Sequence, residues 1–254
     1  MPMTSVGCVP FINALPLIRG IEDQLVFDDP ATLTRKILHD ELDMALLPVV
    51  DMLRYPQLSA FTSLMIGSWG KVKSIRLVSR VPIEQVRSYR RDFQSRSSNA
   101  LVRLILKQYV PAEVREVSEA ADAALYIGDR ALTTPTAKFD YDLGELWTAW
   151  TGLPFIFATW VKRDGVDTQG WEEKLQRAYL SGKAEIGPLS KLAAQRINIS
   201  EAAALDYLSN AIQYQVTPTH EAGLRRFHAE LSLLEPLSPL PESPLFPSKV
   251  TAVG

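Results

Sequence analysis

The chain has 254 residues, 46% of them hydrophobic and 22% charged, which excludes disorder over most of its length and allows one large core or two modest ones. A formal net charge of -2 gives no general field for nucleic acid or an anionic membrane, so neither is an expected partner. The single cysteine, Cys8, rules out an intrachain disulfide, and His39, His220 and His228 are too scattered to make a metal-ligand spacing. The first apolar run, Ser5 to Val9, predicts a strand with Cys8 as a small buried side chain. A helix from Leu15, a strand at Leu25 to Phe27, a helix from Ala31 to His39 and a strand from Met44 to Leu47 follow. This alternation of βαβ units predicts a mostly parallel sheet with helices on both faces. Ligands of such sheets gather beyond the carboxyl ends of the strands, which makes the residues just after strands the first candidates: Asn13, Pro48, and Ser74 before the strand Ile75 to Ser79.

The middle of the chain repeats the alternation. Arg87, Arg90, Arg91 and Arg96 read as a solvated face, with an anion-attracting rim as the lesser reading. Residues 97–110 carry a helical period, 121–127 an apolar strand, and 142–152 a helix capped at both ends. Asp142 and Glu145 form a capping box, Gly152 ends the helix and Pro154 forbids its continuation. Phe155 to Val161 then reads as a strand buried on both faces. The plan is an α/β, two-lobed type II periplasmic-binding-protein-like fold with a ligand cleft between lobes, which can close like a hinge. Residues 1–80 and 164–254 form the larger, discontinuous domain and 81–163 the smaller inserted one. The strands 74–80 and 155–162 mark the crossings. Helices are expected at 169–181, 189–196, 200–213 and 219–234, the last two separated by Thr217-Pro218. The tail 235–254 contains Pro236, Pro239, Pro241, Pro244 and Pro247 and reads as an irregular extension.

Several residues can carry chemistry. The Asn13 amide both donates and accepts, and serves either a ligand or a helix start. Ser97, Ser98 and Asn99 open a helix, where free amides and the dipole attract an anion such as a carboxylate; simple capping is the other reading. Gly128 permits close approach of a ligand, and Asp129 can cap, orient or abstract a proton. Trp147 and Trp150 share a helical face and read as core packing rather than as a stacking platform. With no basic and apolar leader, no apolar run near the ~20 residues of a membrane span and no phosphate-cradling glycine loop, a cytoplasmic protein without cofactor or metal is expected. Nothing in the pattern specifies an oligomeric state.

The segments VPFINALPL (9–17), LLPV (47–50), GKVKSIRLVSR (70–80), SRSSNALVRLIL (95–106), LYIGDRAL (125–132) and YDLGELWTAWTGLPFIFATWVKR (141–163) together resemble the MqnA-type chorismate dehydratase family, in order, over residues 6 to 163. The resemblance implies dehydration of chorismate to 3-[(1-carboxyvinyl)oxy]benzoate in the futalosine route to menaquinone, with no metal or redox cofactor. It makes Asn13 a substrate contact and a catalytic candidate. Ser74, in VKSI, matches the family's Val-x-Ser at a crossing between lobes, where its hydroxyl serves either the cleft or a structural hydrogen bond at the hinge. Ser97 stands where the family commonly has threonine, and Phe11 where relatives often have tyrosine. Asp129 and the enolpyruvyl carboxylate of the substrate are both open as the base. Two rivals are the sister enzyme 1,4-dihydroxy-6-naphthoate synthase and a noncatalytic binding protein for a small carboxylate. The sister pattern has a histidine after the small-lobe strand, where this chain has Gly128 and Asp129.

Overall fold

The structure is a computed structural model that describes residues 4–168 and 170–247. Gln169, the expected start of a helix, and residues 248–254 of the tail lie outside the described residues. The strands are β1 (Val6–Cys8), β2 (Leu25–Phe27), β3 (Met44–Pro48), β4 (Leu58–Ser68), β5 (Ile75–Ser79), β6 (Ser88–Arg90), β7 (Arg115–Glu116), β8 (Ala123–Ile127), β9 (Phe139–Asp142), β10 (Phe155–Arg163) and β11 (Gln213–Gln215). The α-helices are α1 (Pro30–Leu38), α2 (Val49–Arg54), α3 (Ser97–Tyr109), α4 (Gly128–Thr133), α5 (Leu143–Thr151), α6 (Trp171–Ala184), α7 (Ile186–Ile197), α8 (Glu201–Asp206) and α9 (Pro218–Leu231).

Two sheets organise these elements, a six-stranded one in the order β11-β4-β10-β3-β1-β2 and a five-stranded one in the order β7-β6-β8-β5-β9. In the larger sheet only β1, β2 and β3 pair in parallel, while β10 runs antiparallel to both β3 and β4, and β11 antiparallel to β4. The expectation of a mostly parallel sheet is therefore corrected. Its source is β4, an eleven-residue strand in which Ser59, Ala60, Thr62 and Ser63 interrupt the apolar run and hide the strand period. Strand β10, buried along Phe155 to Phe157 and Thr159 to Val161, lies between β3 and β4, which explains why its side chains do not alternate. In the smaller sheet β5 and β8 alternate buried and half-buried residues, as strands covered on one face do.

The chain leaves the large sheet after Ser68, joins the small one at Ile75, and returns through α5 to β10. Strand β5 thus belongs to the small sheet and β10 to the large one; the crossings are residues 69–74 and 143–154. Asp142 caps α5, its Oδ1 accepting from the amides of Gly144 at 3.0 Å and Glu145 at 3.1 Å. The same carboxylate accepts from Val72 at 3.1 Å and Lys73 at 2.6 Å. One buried side chain therefore ties both crossings together. Glu145 does not close the expected capping box; it turns to Lys71, 3.6 Å away. At the other end Gly152 sits at φ +73° and accepts the left-handed turn that stops the helix. Lys73, at φ 64°, holds a left-handed conformation that L residues avoid, anchored by Asp142 and by an ion pair to Asp206.

Trp147 is fully buried, edge-on to Trp150, Phe155 and Phe227 at 5.4, 5.3 and 6.2 Å, and its indole N–H donates to the Pro154 carbonyl. This is a core residue, as its position predicts. The expected helix 200–213 is in fact α8, a π-turn at Tyr207–Ala211, and then β11. The tail forms no helix or strand through residue 247, yet it docks. Arg225 donates to the Pro241 and Ser243 carbonyls, and Phe246 is buried, so side chains of α9 satisfy the extended backbone that the tail cannot satisfy itself. Among the described residues no helix is long and apolar enough to cross a membrane.

Candidate active site

Residues 12–17, expected to lead into a helix from Leu15, form a 3-10 helix with Pro16 inside it and every residue buried. Proline is tolerated there because so short a helix asks for few of its amides. The consequence is that Asn13 lies inside the element rather than at its cap. Its Nδ2 donates to the hydroxyl of Tyr207 at 3.1 Å, and its Oδ1 is buried without a partner.

Asn13 lines a cavity between the two sheets. The large-sheet wall is Val9, Phe11, Asn13, Leu46, Pro48, Ile66, Phe157 and Ala158, most of them at or just beyond the carboxyl ends of β1 and β3; the small-sheet wall is Val72, Ser74, Ile75, Gln94, Ser95, Ser98, Ile127 and Gly128. No charged side chain lines it. Its polar groups are amides and hydroxyls, and Ser98 brings the N-terminal end of the thirteen-residue α3, with its positive dipole, to the wall. The cavity, partly open to solvent, offers about 70 Å³, where small-molecule sites typically offer ~300 Å³ or more; parting of the walls would enlarge it.

The contacts that hold the walls together surround it. The Phe11 ring packs on Gly128, where a Cβ would meet it at 3.1 Å and φ is +57°, so glycine serves both the turn and the close approach. Asp129 does not line the cavity. Its Oδ1 accepts from the Ile12 amide at 3.2 Å, and desolvation raises its pKa, opposed by that amide and by Arg196. Ser97 accepts from the Val50 amide at 3.2 Å. Arg96 reaches Asp51 at 2.7 Å; this fully buried carboxylate also accepts from Thr34, and burial raises its pKa against the pull of Arg96. Of the arginine run, Arg96 is thus part of a contact between the walls, while Arg91 pairs with Glu116 at the surface.

The sequence candidates separate into two groups. Asn13, Ser74, Ser98 and Gly128 meet at the cavity, whereas Ser97, Asn99 and Asp129 do not line it. Asn99 is occupied locally: its amide exchanges hydrogen bonds with the backbone of Asp92, at 2.6 and 3.1 Å, which fixes the loop that carries Gln94 and Ser95 to the wall. The helix start is accordingly split, with Ser97 and Asn99 holding structure and Ser98 facing the space. Tyr207 and Gln94 escape a reading of the sequence. Tyr207 sits 194 residues from Asn13 in what reads as the apolar stripe of a helix, and only the π-turn distinguishes it.

Residues 4–232 match the family model described as menaquinone biosynthesis. The chain is 25% identical to a chorismate dehydratase from Thermus thermophilus, over 92% of this chain and 97% of the relative. Among solved structures it is similar to protein AF1704 from Archaeoglobus fulgidus, at a TM-score of 0.63 and 14% identity over 91% of this chain and 96% of that one. It is also similar to the periplasmic aliphatic sulphonate binding protein SsuA from Escherichia coli, at 0.59 and 12% over 89% and 90%. These neighbours show the two-lobed periplasmic-binding-protein fold, with the cavity lying between its sheets. A match that runs through both sheets and includes every cavity-lining residue places the chain in the menaquinone biosynthesis family.

Proposed function

We propose that the protein is a chorismate dehydratase that converts chorismate to 3-[(1-carboxyvinyl)oxy]benzoate and water, in the cytoplasm. Family membership gives the reading its frame. The observation that carries it is the buried Asn13 amide in the 3-10 helix after β1, with its acceptor unpaired, in a cavity whose other polar side chains are neutral hydroxyls and an amide. The reaction removes the proton at C3, spreads the charge into the ring carboxylate, and expels the C4 hydroxyl as the ring becomes aromatic. What it asks of a protein is orientation and stabilisation of developing negative charge in a dry space. Ser98 at the start of α3 suits the ring carboxylate, and Asn13 and Ser74 suit the hydroxyl that leaves. The test is incubation of the purified protein with chorismate and detection of the benzoate by mass and absorbance, without added metal or nucleotide. No product under these conditions removes the reading.

The occupied carboxylate of Asp129 favours the substrate's own enolpyruvyl carboxylate as the base. Asp129→Asn keeps an acceptor for the Ile12 amide but cannot take a proton, so turnover is expected to fall by less than about tenfold. Loss of a protein base would cost about 100-fold or more. A loss of that size with the melting temperature unchanged would return the base to Asp129.

A further inference from the structure

The Tyr207 hydroxyl is buried and stands at the point where three elements meet: the 3-10 helix carrying Asn13, the crossing that ends at Ser74, and the π-turn. It accepts from Asn13 Nδ2 at 3.1 Å, with the Ser74 side chain beside it. With its N–H given to the phenol oxygen, the Asn13 amide presents its carbonyl oxygen elsewhere. That oxygen has no protein partner, in a side chain 8% exposed, and a buried acceptor without a partner is expensive unless a ligand supplies a donor. The π-turn is what aims Tyr207: the Ile212 amide donates to the Tyr207 carbonyl at 3.1 Å, five residues back, a widened turn of the kind often found at functional sites.

We propose that Tyr207 is a positioning residue whose phenol oxygen locks the Asn13 amide with its acceptor facing the cavity, so that this corner of the site selects a ligand hydroxyl over a carboxylate. A carboxylate offers only lone pairs and is repelled by the carbonyl; a hydroxyl donates to it. Under the chorismate reading, on which the kinetic part of the test rests, the selected group is the C4 hydroxyl, held with its leaving bond in a fixed direction.

Two measurements test this, one of them independent of activity. In protein labelled with 15N-asparagine, the Asn13 side-chain amide is identified by its disappearance in Asn13→Ala. In Tyr207→Phe it is expected to shift and to exchange with solvent at least about tenfold faster, because its buried acceptor is gone. An unmoved resonance with unchanged exchange overturns the proposal, whatever the substrate. In kinetics, Tyr207→Phe is expected to lower kcat about tenfold with KM changed less than about threefold. Combined with Asn13→Ala it should add no further loss beyond about threefold, since Tyr207 acts through Asn13. Additive losses overturn the positioning role. Should Tyr207→Phe alone fold poorly, the comparison of Asn13→Ala with the double variant still decides, because neither leaves the Asn13 amide buried without its partner. A parent protein that turns over no chorismate sinks the proposed function, while the amide measurement still decides the role of Tyr207.

Discussion

Asp142→Ala is expected to lower unfolding stability by about 3–5 kcal/mol, read as a reduced urea midpoint with the slope unchanged. The carboxylate is buried and accepts from four backbone amides, Val72, Lys73, Gly144 and Glu145. Two belong to the outgoing crossing and two to the first turn of α5 on the way back. Alanine leaves these donors unpaired, and Lys73 loses one of the two anchors that keep it at φ 64°. Asp142→Asn is expected to lose about half as much, since one oxygen can keep the three bonds made by Oδ1 while the amide nitrogen faces the Lys73 N–H. A loss below about 1 kcal/mol for the alanine variant would show that water replaces the carboxylate and that the two crossings are not held through it.

Acid should weaken the fold through His220. This side chain is buried; its Nδ1 accepts from the Thr217 amide at 3.3 Å, and its Nε2 lies 2.7 Å from Gln213 Oε1, completing the capping box of α9. Protonation would turn Nδ1 toward the Thr217 N–H as a second donor. Burial pushes its pKa down to about 4 from the usual 6.5. Between those values the unfolded chain holds the extra proton and the folded one does not, so stability falls as pH drops from about 6.5 toward 4. The expected loss is about 2 kcal/mol once the shift is discounted for solvent screening, or a fall of roughly 5 °C in Tm. The buried carboxylates of Asp51 and Asp142, whose pKa values are raised by desolvation, work in the opposite sense over the upper part of the carboxylate range. His220→Gln keeps an acceptor for the Thr217 amide and isolates the histidine: its Tm should vary less between pH 6.5 and 4 than that of the parent. Parallel curves would refute the assignment.

Some of this architecture is legible in the residues themselves. Strand β8 is legible as a short apolar run, and α5 because Asp142, Gly152 and Pro154 write both of its ends in local chemistry. Strand β4 is not, since its small and hydroxyl-bearing residues become strand-like only when β10 and β11 pair on either side of it. The site divides in the same way. Asn13 and Ser98 stand where strand ends and helix starts present them, and local reasoning reaches them. Ser97 and Asn99 occupy the same helix start, but the Val50 amide and the Asp92 backbone that claim them lie 47 and 7 residues away. Tyr207 is harder still, because nothing in a run of apolar and polar residues records that one turn of a helix is a residue too wide.

The small size of the space between the sheets has a kinetic consequence. If a ring-bearing ligand enters only when the contacts between the sheets part, association waits for that open form. The apparent dissociation constant is then weakened by the fraction of molecules that are open, and the observed binding rate levels off at the opening rate instead of rising without limit as ligand is added. Substitutions that loosen the Phe11, Asp129 or Arg96 contacts can therefore speed capture while slowing the chemistry that follows, because the same contacts that delay the ligand later keep water away from it.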